Sequence, residues 1–144
     1  MTGSRIRGSK AHLARLRKLE KDTIRFVGKA LFAGGESIQV EAQLSITQGA
    51  VSGKNHVPSK PGEPPNQDTG VLSGNIETVQ KGPLLVEVSS NARPYAAYME
   101  FGTSKVAARP YLRPARDKKR AEVVALVERA VSQAVRQSRS NAKD

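Results

Sequence analysis

The chain of 144 residues contains no cysteine and no tryptophan, and only 4% of its residues are aromatic. The absence of cysteine excludes disulfides, a thiol nucleophile and cysteine-ligated zinc. Because small secreted domains usually depend on such cross-links, the composition favours an intracellular or assembled setting. Leu, Ile, Val and Ala must build the core, and few large side chains remain for base stacking or for anchoring a partner.

Long apolar segments are also missing. The longest uncharged stretch, Ala42–Gly53, is too short and too polar to cross a bilayer. Arg5, Arg7 and Lys10 are not followed by an apolar run, so the pattern is not that of a signal peptide. We therefore expect a soluble protein that has no membrane partner.

Residue types that carry catalysis are few and scattered. His12 and His56 occur in a basic segment and a proline-rich segment, without carboxylates or thiols at ligand spacing. The segment Gly49–Asn55 resembles a phosphate-binding loop, but it is one residue short between its glycines and has Asn where Ser or Thr is required. The sequence predicts no catalytic, cofactor-binding or metal-binding residues, and an enzyme is the weakest functional hypothesis.

The net charge of +11 is concentrated at the two ends of the chain. Residues 1–30 hold nine Lys or Arg against two acids and residues 113–144 hold nine against four, whereas residues 31–112 hold six against seven. Such ends can bind nucleic acid through counterion release, contact an acidic protein partner, or form solvated helix faces. The candidate contact residues are Arg15, Arg17, Lys18, Lys118, Lys119 and Arg120.

The first region, residues 9–49, has mainly the apolar spacing of helix. Asp22 is a candidate N-cap for a second helical stretch, and Gly34-Gly35 predicts either a kink or a break in that stretch. One face of the preceding basic segment carries three leucines, Leu13, Leu16 and Leu19.

Residues 38–47 fit two structures equally well. Apolar and polar residues alternate strictly, which is typical of a strand. Ile38, Ala42 and Ile46 are also spaced by four residues, which is typical of a helix. The residues alone leave both alternatives open.

A loop rich in proline and glycine follows at residues 51–67. Proline restricts the backbone, so the loop is expected to be an extended arm that reaches a neighbouring subunit; a mobile surface loop is the alternative. The candidate arm residues are Lys60, Pro61, Glu63, Pro64 and Pro65.

The third region predicts a small α+β arrangement. Asp68 or Thr69 can cap a short helical turn that contains Gly70 and Leu72, and two strands, Asn75–Gln80 and Leu84–Ser90, form a hairpin joined at residues 81–83. Tyr95–Phe101 is interpreted as an aromatic core plug built on Tyr95, Tyr98 and Phe101, with Gly102 as a left-handed helix stop. The last element is an amphipathic helix whose apolar face carries Val123, Val127, Ala130, Val131, Ala134 and Val135.

Four motifs occur in a fixed order: Pro61–Pro65, Asp68–Leu72, Tyr95–Thr103 and Ala108–Ala115. In this order they resemble the tail-completion, or neck, proteins of long-tailed phages and prophages, a group related to the minor tail protein Z of phage lambda. Similar proteins occur in phage-derived gene transfer agents. The resemblance covers roughly residues 10–135, and the extended insert at Gly53–Asn66 departs from the short proline-containing turn of simpler members.

The resemblance implies a homo-oligomeric ring, a hexamer, with DNA passing through its lumen. The implied partners are the tail terminator or tail tube protein on one side and the head connector or stopper protein on the other, in the neck of a virion assembled in the bacterial cytoplasm. It also implies a helix over residues 23–47, which favours one long helix.

Within the motifs, the Glu100 carboxylate is expected to accept hydrogen bonds from the backbone or from Arg109, fixing the loop that contains Thr103 and Pro110 and leads to Leu112. Arg109 and Arg113, each before a proline, are candidates for bidentate pairs within the domain or across a subunit boundary.

We interpret residues 1–144 as one tail-completion domain with frayed ends at 1–8 and 138–144. Its fold class is α+β: a long N-terminal helix or helix pair, a small antiparallel sheet built on a hairpin, and a C-terminal amphipathic helix. The leading functional hypothesis is a structural joining subunit, and the alternative is a basic nucleic-acid-binding module.

Overall fold

The computed structural model describes residues 8–48, 53–66 and 70–140. The predicted α+β fold is confirmed, with one long N-terminal helix rather than a helix pair. In chain order the elements are α1 (Ser9–Thr47), a 3₁₀ turn (Gly53–Asn55), α2 (Val71–Gly74), β1 (Ile76–Gly82), β2 (Leu85–Ser90), α3 (Tyr95–Phe101) and α4 (Leu112–Ser140).

Helix α1 is the element on which the others pack. Helix α4 lies antiparallel to α1. Ser37 donates a hydrogen bond to Glu122 (3.1 Å), and Glu41, one turn later in α1, pairs with Lys118, one turn earlier in α4. The β-hairpin packs against a second side of the same helix. The three elements therefore form a helix pair with a small sheet on its flank.

Gly34 and Gly35 do not interrupt α1, which runs through them as regular helix. A Cβ on Gly34 would lie 2.9 Å from Val123 of α4, and one on Gly35 would lie 2.7 Å from Thr78 of β1. The two glycines thus let α4 and the hairpin approach the helix backbone at adjacent positions. Their cost to helix formation, about 1 kcal/mol each, is offset by this close packing.

Residues 38–47 are helical, so the strand alternative is wrong. Ala42 and Ile46 are fully buried and Ile38 is half-buried, whereas Val40 and Leu44 are exposed. The four-residue spacing therefore marks the buried face, and the two apolar residues that belong to the alternation alone, Val40 and Leu44, point to solvent.

The hairpin is antiparallel and pairs Thr78 with Val88 and Gln80 with Val86. Strand β1 continues to Gly82, beyond the predicted end at Gln80, with an irregularity in the pairing between these two residues. The reversal accordingly falls on Pro83 and Leu84, because proline cannot continue the ladder.

The predicted aromatic core plug in α3 is wrong. Tyr95 and Tyr98 are about half exposed and Phe101 is 70% exposed, whereas Ala96 and Met99 are buried on the opposite face. The aromatic residue of the core is Tyr111, which is 1% exposed and packs in a cluster with the buried side chains Ala42, Ile46, Leu72, Ile76, Ala92, Ala96, Met99 and Ala115.

Helix α4 buries small residues against α1, namely Ala115, Ala130 and Ala134. Val131, predicted to belong to this face, is exposed because it lies about 100° around the helix from Ala130. The helix extends to Ser140, past Ser138, where fraying is predicted to begin; residues 141–144 and 1–7 lie outside the described ranges.

Asp22 does not cap a second helix, since α1 begins at Ser9 with Gly8 as its N-cap. It lies buried within α1, and its carboxylate pairs with Arg25 one turn later (3.2 Å). Over the described ranges, none of the helices has the length and apolarity that a membrane span requires.

Candidate functional site

The Glu100 carboxylate organises the connection between α3 and α4. It accepts hydrogen bonds from the backbone N–H groups of Tyr111 (2.9 Å), Leu112 (3.0 Å) and Arg113 (2.9 Å). These donors begin α4, where amide groups lack helical partners and the helix dipole favours a negative charge. The carboxylate was predicted to bind either the backbone or Arg109, and it binds the backbone.

The loop between α3 and α4 is closed by its own hydrogen bonds. Gly102 has φ of 74°, and its amide donates to Tyr98 O (2.9 Å). Thr103 Oγ1 accepts from Val106 N (3.0 Å), and Arg109 N donates to Met99 O (2.6 Å). A Cβ at Gly102 would lie 2.8 Å from Ala108 N, so both the backbone angle and the space require glycine there.

The two arginines of this loop face different surroundings. Arg109 is half-buried, and its Nε has no hydrogen-bond partner among the described residues. The exposed Arg113 places its guanidinium 6.0 Å from the centroid of the Phe101 ring. The bidentate pairs predicted for these arginines are not formed within the described parts of the domain, and pairing across a subunit boundary stays a prediction.

The segment of the predicted arm folds back onto the domain instead of extending from it. Gly62 N donates to Ala108 O (2.9 Å), Asn66 donates to Val57 O (2.8 Å), and Lys60 N donates to the Glu63 carboxylate (3.2 Å). Pro65 is buried and Pro64 is half-buried, while Lys60, Pro61 and Glu63 are exposed. Prolines stiffen the chain, but Gly62, with φ of 85°, turns it back.

The short helical turn α2 has Gly70 as its N-cap and buries Leu72 in the core. Asp68 and Thr69, the predicted capping residues, lie outside the described ranges.

The two basic ends differ in how their charges are used. In α4, Lys118 pairs with Glu41 and Lys119 pairs with Glu122 (3.3 Å), while Arg120 is exposed. At the start of α1, Arg15, Arg17 and Lys18 are exposed and form no ion pair with any described residue. Exposed cations without an ion pair in the described ranges thus remain in both helices; in α4 they include Arg120, Arg129, Arg136 and Arg139.

An apolar groove runs between β2, α3 and the start of α4, with a volume of about 570 Å³. Tyr111 forms part of its floor, and burial raises the pKa of the Tyr111 hydroxyl, partly offset by the nearby Ser90 hydroxyl. Neither of these two hydroxyls makes a well-formed hydrogen bond to the described chain. Other lining residues are Ile38, Val86, Val88, Phe101 and Leu112.

Large apolar side chains are exposed at several places, among them Leu13 and Leu16 at the start of α1, Leu84 and Leu85 at the hairpin tip, and Phe101 on α3. The described residues contain no group of acids and histidines that could hold a metal ion. Contiguous exposed apolar surface is where a protein contacts its partners, so the neighbouring leucines at the start of α1 and at the hairpin tip are candidate contact positions.

The sequence missed the hairpin-tip and α3 surfaces. Leu84 and Leu85 directly follow Gly82-Pro83, and because a hairpin turn lies at the surface, this position could have predicted their exposure. Helix α3 has only seven residues and buries one face, which carries Ala96 and Met99. The spacing of the apolar residues does not indicate whether this face or the aromatic face is buried.

The family of bacteriophage HK97 gp10-like tail components matches residues 10–102, more than half of the chain, and the chain belongs to this family. It is accordingly a component of the phage tail and of the virion. No curated protein and no solved structure matches the chain.

Proposed function

We propose that this chain completes the phage tail and joins it to the head connector, as one subunit of a ring around the DNA channel. The observation that carries the proposal is membership of a tail-component family by a chain that leaves leucines and Phe101 exposed at its surface. A subunit embedded between other proteins would bury these surfaces on assembly. The role is structural and needs no catalytic step.

The proposed ring is a hexamer in the neck region. It contacts the tail terminator or tail tube protein on one face and the head connector or stopper on the other. The net charge of +11 supports a position beside DNA or beside acidic neighbours.

The test is to remove the protein from a phage that encodes it. We expect filled heads and finished tail tubes to accumulate separately, and supply of the wild-type protein to restore joined particles. Electron microscopy and infectivity measure the outcome. Normal joined particles without the protein would overturn the proposal.

A second measurement addresses the ring itself. Native mass spectrometry of the protein extracted from purified necks, or bound to its tail partner, should give a closed oligomer. A monomer incorporated once per particle would contradict the ring.

The alternative function is nucleic-acid binding. It is favoured by the cations on the exposed start of α1, of which Arg15, Arg17 and Lys18 have no ion-pair partner among the described residues. This function predicts tight binding to short DNA with a steep dependence on salt. A strict monomer that binds DNA in this way and ignores tail tubes would favour it over the joining role.

A further inference from the structure

We infer that the start of α1, Ser9–Lys21, packs on the outer face of the hairpin of a second copy of this chain. The inference rests on the proposed ring and assigns the surfaces through which its neighbouring subunits touch. Two surfaces carry it: an open face of the hairpin, and an exposed basic segment of helix.

The hairpin has helix on one face only. Thr78, Val86 and Val88 point toward Gly35 of α1. The alternating residues therefore point away. Among them Glu77, Glu87 and Leu85 are exposed, Leu85 at 61%, whereas Val79 and Ser89 are half-buried. Among the described elements, α1 is the helix that packs on these strands, so the outer face lacks a covering layer.

Within the described ranges, no element covers the start of α1 either. Leu16 precedes Gly34 by eighteen residues, or five turns, and so continues the stripe of α1 that faces α4. The antiparallel pairing of Ser37 with Glu122 places the last described residue of α4, Ser140, beside Leu19. Leu13 and Leu16 lie beyond that point and are 52% and 47% exposed.

The two surfaces are complementary in charge and polarity. Leu13 and Leu16 are flanked by Arg17, which lies next to the leucine stripe and has no ion-pair partner among the described residues. The hairpin face combines Leu85 with Glu87, an exposed acid that likewise forms no ion pair in the described ranges. Leucine can thus pack on leucine while Arg17 meets Glu87.

A chain cannot make this contact with its own hairpin. The hairpin tip touches α1 at Gly28, where a Cβ would lie 2.6 Å from Pro83 O. Leu16 is twelve residues earlier in the same continuous helix, about 18 Å away along the axis. A helix start that packs on this hairpin face must therefore belong to a second copy.

The contact joins two different surfaces of the same chain. Each copy has one helix start and one hairpin face, so in a ring the contact repeats from copy to copy. A reciprocal dimer, in which two copies exchange helix starts, would also fill both surfaces; it would give a cross-linked dimer without higher oligomers and would contradict the ring.

Disulfide cross-linking tests the contact, and the chain suits it because it has no cysteine of its own. We expect Leu16→Cys mixed with Leu85→Cys to give a cross-linked dimer under mild oxidation, in concentrated protein or in assembled necks. The variant with both cysteines should give a ladder of oligomers. The matched control replaces Leu16→Cys by Lys18→Cys, which lies on the opposite side of the helix. Cross-linking of Leu16→Cys no better than this control would overturn the inference.

Charge exchange gives an independent test. Arg17→Glu and Glu87→Arg should each raise the dissociation constant for self-association roughly tenfold, and the double variant should recover most of this loss. Lys18→Glu makes the same charge change on the far side of the helix and should have less than about a threefold effect. Sedimentation equilibrium measures the constants. Equal effects of Arg17→Glu and Lys18→Glu would overturn the contact and indicate general attraction to a polyanion such as DNA.

Failure of the proposed contact can be distinguished from failure of the proposed function. A closed ring without the Leu16–Leu85 cross-link overturns this contact and leaves the joining role in place. Absence of the protein from the neck overturns the proposed function itself.

Discussion

One continuous helix, α1, has two regions with opposite surroundings. Residues 27–46 are packed by α4 on one side and the hairpin on another, through Gly34 and Gly35. Residues 9–18 are exposed on every side, although two leucines lie among them. The difference separates a packed part of α1, which supplies stability, from an exposed part, which we propose is a contact surface. Stability should therefore respond to changes in the first region, and assembly to changes in the second.

The largest expected effect concerns the aromatic side chain buried beside the packed region. Tyr111→Ala removes that side chain from the core and should lower the free energy of unfolding by about 4 kcal/mol. Tyr111→Phe keeps the ring and is the control; it should change stability by less than about 1 kcal/mol, because the hydroxyl makes no well-formed hydrogen bond in the described structure. Urea unfolding measures both. Equal losses would show that the hydroxyl, and not the ring, matters.

The next effect is overpacking at the helix crossing. Gly34→Leu places a side chain where even a Cβ lies 2.9 Å from Val123, and should cost about 3 kcal/mol. Ala14→Leu makes a comparable enlargement in the exposed region and should change stability by less than about 0.5 kcal/mol. Thermal unfolding compares the two. A tolerated Gly34→Leu would mean that α4 does not pack as closely as described.

A smaller loss is expected at the start of α4. Glu100→Ala removes the acceptor of three backbone N–H groups and should cost about 2 kcal/mol. Glu36→Ala, at an exposed position of α1, serves as control and should be nearly neutral. Hydrogen exchange should report faster opening at Tyr111 and Leu112 in the first variant only. Unchanged protection there would contradict the capping role.

Alkaline pH should weaken the packed region through Tyr111. Because burial raises the pKa of this hydroxyl above its ordinary value of 10.0, the folded state holds the proton more tightly than the unfolded state does. Stability is therefore complete below pH 10 and falls as the pH rises through 10 toward the higher folded pKa. Tyr111→Phe should reduce the loss between neutral and strongly alkaline pH. An identical alkaline loss in the variant would place its origin elsewhere.

The smallest effect on stability is expected in the exposed region. Leu13→Gln combined with Leu16→Gln should change the free energy of unfolding by less than about 0.5 kcal/mol, since both leucines are already half exposed. The same variant should lose self-association or incorporation into necks. A stability loss comparable with that of Gly34→Leu would show that the start of α1 is packed, and would remove the contrast between the two regions.

Local patterns predicted much of this fold. The hairpin followed from alternation in Val86 and Val88 next to Pro83, and the α4 face followed largely from its spacing. For Glu100, its place just before Phe-Gly-Thr indicated a carboxylate that orders the following loop, and the structure shows it bound to three amides there.

Other features depended on contacts between segments far apart in the chain. The strand and helix patterns at residues 38–47 were equal, and burial of Ala42 and Ile46 against the core decides for helix. Tyr95, Tyr98 and Phe101 were expected inside because they are large and apolar, but Tyr111, arriving from the next loop, occupies the core instead. Local propensity does not indicate which of two aromatic segments is buried in the core, because that depends on how the whole elements pack.

The sequence by itself determined the α+β class, the basic ends, and the pattern over residues 10–102 that matches a family of phage tail components. These properties depend on composition and on local periodicity, and not on contacts between segments far apart in the chain. The tertiary structure decided three further features. Gly34 and Gly35 allow α4 and the hairpin to approach the backbone of α1, and the proline loop folds back onto Ala108. The contacts between helices also decide which cations form ion pairs. Each of these depends on what lies opposite a residue across the fold, and that is set by the packing of whole elements.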